Sequence, residues 1–442
     1  MTRRYLNTLI AVVLLAALWF SFKAWNAHES RKAEKSKHAA AKLLPLKKNQ
    51  IDSFTLTARD GKSFTCSKSH GKTWSIVKPL PIPADQSKVS SFLDSLTSAT
   101  VAEVIRTHPA NLRDFGLDPA AETLQISTDT NPHQVTLLLG DDTPTSTGVY
   151  AQVTGSPRVV TLSEDTKTAL EKKLFDLRDT RAVTLDTDKL QSIHVKYGTK
   201  SYTLLKNPEG EWEVSLPPAV RADHFNVESL VDDLQDLTMQ SVVAEEKRDD
   251  AKYGFANPTL AVTLKTPGAS QKLVVGKKAS QGYYAMNSGL DPVFTLGSDS
   301  TTQFEKKASY FRDKDLFSWD MFDVKSFEVT TPKGHWAFQQ VKAKWQETAP
   351  AKKAVSSDKV NAFLSALRNL TASSFPKAGN SKFGFNEPIY TFKVTFGSKN
   401  RTQMVEVAKS DGHIYARRES DPSPSEVAQS DLTTIENTFK RI

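Results

Sequence analysis

Nine histidines are the first residues to weigh for chemistry: His28, His38, His70, His108, His133, His194, His224, His335 and His413. A metal centre needs a second and third ligand at helical or hairpin spacing, and none of the nine has one nearby in sequence. The carboxylate pairs Asp232-Asp233 and Asp249-Asp250 are adjacent, so on a helix or strand their side chains diverge. That suits a solvated face better than acid-base catalysis. The single cysteine, Cys66, lies in the alternating run Ser63-Phe64-Thr65-Cys66-Ser67 with no histidine or basic cluster accompanying it, which reads as a strand residue and not a nucleophile. Neither G-x-S-x-G, nor a phosphate-binding G-x-x-x-x-G-K-[ST], nor a dinucleotide glycine fingerprint occurs. No catalytic residue, cofactor or metal is expected, and an enzyme is the least favoured class.

What does recur is structural. Tyr253-Gly254-Phe255-Ala256-Asn257-Pro258 has relatives in Phe115-Gly116-Leu117-Asp118-Pro119 and Phe383-Gly384-Phe385-Asn386-Glu387-Pro388. Glycine there supplies a backbone conformation that other residues resist, in a turn that the aromatic and the proline (Pro119, Pro258, Pro388) pack; binding by this turn is the alternative role. Trp74, Trp212 and Trp345 recur at offsets of 138 and 133 residues, as do Phe92-Leu93-x-x-Leu96, Leu230-Val231-x-x-Leu234 and Phe363-Leu364-x-x-Leu367. Gly148-Val149-Tyr150-Ala151, Gly282-Tyr283-Tyr284-Ala285 and Gly412-His413-Ile414-Tyr415-Ala416 follow in the same order. A period this long is a whole small domain.

The expected fold is α+β: three tandem copies of an antiparallel sheet with helices, after an N-terminal transmembrane helix. The expected limits are 1–22 for a membrane anchor, 23–46 for a charged helical stalk, and 47–184, 185–320 and 321–442 for the repeats. Alternating runs and turns such as Asp60-Gly61 mark two or three leading strands, and Val227, Leu230, Val231, Leu234 and Leu237 mark an amphipathic helix. A terminal helix is expected over 170–177, 304–311 and 435–442. The first two run into Arg178-Asp179 and Arg312-Asp313, which suggests that these pairs fix one domain against the next. The third copy ends one residue short of its arginine.

Residues 5–22 are apolar over a length near that of a bilayer's hydrocarbon core. No small-x-small cleavage site follows, so an uncleaved single-pass anchor is expected, with the bulk of the chain outside the cytoplasm. Lys23, Arg31, Lys32, Lys35 and Lys37 oppose that orientation under the positive-inside rule. The net charge of +8 comes from residues 1–48, which hold ten basic and two acidic residues, leaving 48 of each beyond. Nucleic-acid binding, which needs excess positive charge on the folded part, is not expected.

With these motifs in order, the chain resembles the bacterial family called domain of unknown function 4340. That resemblance rests on the Trp strand followed by Pro and a helix, the Phe/Tyr-Gly turn, the Gly-x-Tyr-Ala strand and the closing Arg-Asp. Phe255 and Phe385 depart from the family's usual Leu, and the last Arg-Asp is missing. The resemblance implies an inner-membrane, periplasm-facing envelope protein, encoded beside ABC-type transport or gliding-related components, with protein partners and no family catalytic residue. A scaffold or accessory subunit is the leading expectation. The alternative is an anchored module holding a glycan, peptide or lipid in a groove lined by Tyr150, Tyr284 and Tyr415.

Overall fold

The computed structural model describes residues 42–69, 73–129, 133–246, 251–376 and 383–442. The expected anchor and most of the stalk therefore lie outside the described residues, as do His28, His38, His70 and Asp249-Asp250. Among the described residues no helix is long and apolar enough to cross a membrane.

Three nine-stranded antiparallel sheets follow one another, each with a single strand order. In the first, β1 (Ile51–Ala58), β2 (Ser63–Ser69), β3 (Thr73–Lys78) and β4 (Ile82–Pro83) form one meander, and helix α1 (Gln86–Ser98) follows. Next come β5 (Glu103–Arg106) and a second meander, β6 (Glu122–Thr128), β7 (Gln134–Asp142), β8 (Gly148–Val153) and β9 (Val159–Ser163). The two meanders join through β1 and β6, and β5 crosses to the far edge beside β9, giving the order 4-3-2-1-6-7-8-9-5.

The second copy repeats this with β10 (Ser192–Tyr197), β11 (Lys200–Lys206), β12 (Trp212–Val214), β13 (Val220–Arg221), β14 (Ser241–Ala244), β15 (Leu260–Thr266), β16 (Ala269–Lys278), β17 (Tyr283–Asn287) and β18 (Val293–Leu296). The third uses β19 (Val324–Thr331), β20 (Gly334–Val341), β21 (Lys344–Ala349), β22 (Lys353–Ala354), β23 (Ala372–Ser374), β24 (Tyr390–Phe396), β25 (Arg401–Ser410), β26 (His413–Arg418) and β27 (Asp421–Val427). Four strands, and not two or three, thus precede each helix. The fourth is only two residues long and lies beyond the Pro-containing turn, too short for a period of two to reveal.

In the third copy the helix covers the seam between the two meanders. Phe363 of this helix, Ser357–Arg368, lies 5.2 Å from Phe327 on β19 and 6.2 Å from Phe392 on β24, ring centre to ring centre. In the first copy Phe92 meets Phe54 at 4.9 Å. The apolar stripe at i, i+3, i+4 and i+7 puts Val89, Phe92, Leu93 and Leu96 inside. Asp85 caps α1 by accepting from the Ser87 and Lys88 N–H groups, and Asp223 caps the helix His224–Gln235 by accepting from Asn226 N–H.

The chain divides into two compact units, Met1–Thr180 and Arg181–Ile442, the second holding two sheets. Each copy opens on a short extended stretch that bridges to a residue two or three places beyond the end of its helix: Lys42 to Thr100, Arg181 to Thr238 and Asp315 to Thr371. This corrects the end of the expected stalk. Residues 42–46 are not helical, and Leu43, Leu44 and Leu46 are buried in the first core. Leucines that bury against a sheet gain more from packing than an isolated helical turn would.

The terminal helices also differ from expectation. The first copy has two short ones, Glu164–Leu170 and Leu174–Leu177, and the second only 3-10 turns at Thr302–Phe304 and Ala308–Phe311. The third has one continuous helix, Gln429–Phe439. Thr301 and Thr302 are β-branched and Lys306 and Lys307 sit between the anchoring phenylalanines, so a helix gains little there. Phe311 packs on Tyr202 at 4.8 Å, much as Phe439 packs on Trp336 at 5.4 Å.

Candidate functional site

The motif shared by the three copies builds one local structure. Gly116, Gly254 and Gly384 adopt φ of 64°, 78° and 80°, the left-handed region. The aromatic before each glycine packs edge-on against the tyrosine of the Gly-x-Tyr-Ala strand: Phe115 on Tyr150 at 5.1 Å, Tyr253 on Tyr284 at 5.0 Å, Phe383 on Tyr415 at 4.9 Å. The turn thus clamps the strand two places away in the sheet. After the prolines, Ala121, Thr259 and Ile389 donate their N–H groups to Leu139, Val275 and Val407 carbonyls, which starts the second meander in register.

Tyr150, Tyr284 and Tyr415 are half-buried, each with its ring paired within its own copy. Tyr284→Leu is expected to cost about 1–2 kcal/mol of stability through the lost ring pair and hydroxyl-bearing edge. Urea unfolding checks this; an unchanged midpoint would refute the clamp.

Residues that sequence reasoning missed complete the turn. A Cβ on Gly140 would lie 2.1 Å from the Phe115 carbonyl oxygen, and one on Gly276 would lie 2.0 Å from that of Tyr253. Each glycine sits in a β-bulge, between Leu139 and Asp142 and between Val275 and Lys278, and Lys277 N–H donates to the Tyr253 carbonyl at 2.7 Å. In the third copy the equivalent residue is Ala408, and β25 pairs with β26 in unbroken register there. The signal available was a glycine closing the alternating run in two copies, Gly140-Asp141-Asp142 and Gly276-Lys277-Lys278.

The Arg-Asp pairs lie where each copy's chain returns to its own sheet. Arg178 bridges Ala84 and Arg312 bridges Ala222, while Asp179 and Asp313 N–H groups donate to the Pro83 and Arg221 carbonyls at 3.0 Å each. Arg178 and Arg312 are buried. In the second unit Arg312 reaches into the third copy, where its Nη2 lies 3.0 Å from Asp421 Oδ2 and its guanidinium stacks 3.9 Å from the Phe375 ring centre. Arg418 shares the Asp421 carboxylate at 3.3 Å and donates to the Asp315 carbonyl. Burial, then the charge of Arg221, holds Arg418 below the usual guanidinium basicity. Asp313 in turn accepts from Arg221, which also donates to the Asp315 carbonyl. Asp421, Arg418 and Arg221 carried no sequence motif, because Arg312 and Asp421, and Arg221 and Asp313, lie 109 and 92 residues apart and meet only through the fold.

Among the described residues no three metal-donating side chains converge. His413 Nδ1 and Ser374 Oγ bond opposite oxygens of Glu426, at 2.7 and 2.8 Å. The hydroxyl faces the carboxylate and not the imidazole, so no nucleophile is activated. Asp232 is exposed and Asp233 half-buried on their helix. Cys66 is buried on β2, and burial pushes its thiol up to about 12, which makes it unreactive.

Among the described residues Glu122, at the start of β6, is a carboxylate displaced far from its ordinary range. Burial first, and then the Glu171 carboxylate, push it up to about 7, against the opposing Lys172 N–H and ammonium. A raised carboxyl pKa stabilises the fold below the unfolded value near about 4.3, and that contribution is lost as pH rises through about 7. Glu122→Gln is therefore expected to stabilise the protein at pH 8 by about 1 kcal/mol, discounted for solvent, and to do nothing at pH 4. Thermal melts at both values test it; equal effects at both would discard it.

Three copies of one α+β unit, each locked by the same turn and ring pair, define a repeat protein whose shared residues serve packing. The chain belongs to the family named domain of unknown function (DUF4340), whose sequence model matches residues 74–219 and 212–388. Each match starts on the tryptophan strand of one sheet and ends in the next copy, so the family unit is out of phase with the folded sheet. Comparison with curated proteins and with solved structures gave no match.

Proposed function

We propose that the protein is a non-catalytic, single-pass inner-membrane protein whose three repeats act outside the cytoplasm as a scaffold or accessory subunit of an ABC-type or gliding-related complex. The observation that carries this reading is what the repeated residues do: the ring pairs, left-handed turns and Arg-Asp returns are all engaged in holding sheets and copies in place. A chain that spends its repeated features on rigidity presents surfaces to partners and not a reaction centre. The apolar run over residues 5–22 supports the anchor.

Purification of the tagged full-length chain from native membranes in mild detergent, with mass spectrometry of co-purifying proteins, tests the proposal. Transporter permease or ATPase subunits in near-stoichiometric amount are the expected result. A chain recovered from the soluble fraction with no stable companion would end it.

A further inference from the structure

Charge neutrality beyond residue 48 conceals an opposition between equivalent surfaces of the second and third copies. The pairings Lys206↔Trp212 and Gln340↔Trp345 align the two leading hairpins. From there to the end of the helix, residues 206–236 hold eight acidic and two basic side chains, while the equivalent residues 340–369 hold two acidic and six basic ones. Glu211 and Lys344 occupy the same place, each just before its tryptophan, and both are exposed. On the acidic face Glu228 and Asp232 extend along the outer stripe of the helix that starts at His224, behind Phe225, which is 79% exposed. On the basic side exposed Val341 stands beside Lys342 and Lys344 at the hairpin turn, and exposed Lys359 lies in the first turn of the helix that follows. Among the described residues Lys342, Lys344 and Lys359 have no acidic partner within ion-pair distance.

We infer that these two faces bind each other between chains: the acidic hairpin-helix face of the second copy in one chain docks on the basic hairpin-helix face of the third copy in another. One fold element carrying opposite charge in two copies is the arrangement that lets a protein recognise a second copy of itself. Each face repels its own kind, which sets the pairing. An exposed apolar side chain on each face, Phe225 and Val341, supplies the part of the contact that charge alone does not. Because one compact unit carries both faces, the contact made twice about a two-fold axis closes as a dimer. An anionic membrane surface would meet the lysines but would leave the acidic face and Phe225 without a role.

The test is sedimentation velocity of the full-length chain in neutral detergent micelles. A dimer at low salt, weakened at least about ten-fold at 500 mM salt, is expected. The triple reversal Glu211→Lys, Glu228→Lys, Asp232→Lys, and separately Lys342→Glu, Lys344→Glu, Lys359→Glu, should each weaken association by at least about ten-fold. All six substitutions in one chain should restore it. A native chain that stays monomeric at low salt overturns the proposal. So does a six-fold variant that remains folded by circular dichroism yet fails to recover. Association that appears only with anionic lipid, and is lost only on lysine reversal, assigns the basic face to a bilayer and overturns it too.

Discussion

Asp421→Ala should lower the stability of the Arg181–Ile442 unit by about 3–5 kcal/mol, because it leaves two buried guanidinium groups without the carboxylate they share, Arg418 keeping only the charge of Asp313. The Asp421 side chain is 4% exposed and those of Arg312 and Arg418 6% and 7%. Water therefore cannot replace the carboxylate. The penalty is mostly the cost of stranded charge, so a second change should recover much of it: Arg312→Met in the Asp421→Ala background removes one stranded cation and keeps a side chain on Phe375. Calorimetry should show the melting of residues 42–180 unchanged while the second unit melts earlier. The exposed pair Lys189–Asp186 serves as the control, since breaking it should cost well under about 1 kcal/mol. A loss for Asp421→Ala as small as that control would mean the junction is open to solvent.

Gly276→Ala is the second large effect, at about 2–4 kcal/mol. Its Cβ would be placed 2.0 Å from a backbone carbonyl oxygen and 3.0 Å from the Phe255 ring. Neither can move without breaking the Lys277 to Tyr253 hydrogen bond or the Tyr253 ring pair. The third copy supplies the internal comparison. Ala408 already stands at that position, fully buried in a strand with no bulge, so Ala408→Gly should cost only about 1 kcal/mol, chiefly through backbone entropy. Urea unfolding of the two variants side by side decides the matter. Equal losses would show that the bulge does not require glycine.

The comparison of these two sites also marks how far the sequence could be read. Repetition was legible because it leaves the same residue types at nearly the same offsets: the tryptophans, the helix stripes, the Phe/Tyr-Gly turns and the Gly-x-Tyr-Ala strands. The α+β class followed from periods of 2.0 and 3.6 in alternation with turns, which depend on local geometry alone. The family resemblance drew on the same local signals and is established by the match over residues 74–219 and 212–388.

What pairs with what was beyond that reading. The 4-3-2-1-6-7-8-9-5 strand order places β5 at the far edge from its sequence neighbour β4, and no local signal encodes such a crossing. Phe115 and Tyr150 were each visible as motifs, but only the sheet brings them into one ring pair. Arg312 was visible too, while its counter-ion Asp421 lies 109 residues away and was indistinguishable from any other aspartate. The opposed charges of residues 206–236 and 340–369, minus six and plus four, largely offset each other in the whole-chain total. Local residue chemistry thus determined the elements and their repetition. Only the tertiary structure decided the contacts, because burial and charge pairing are properties of residues brought together across the chain.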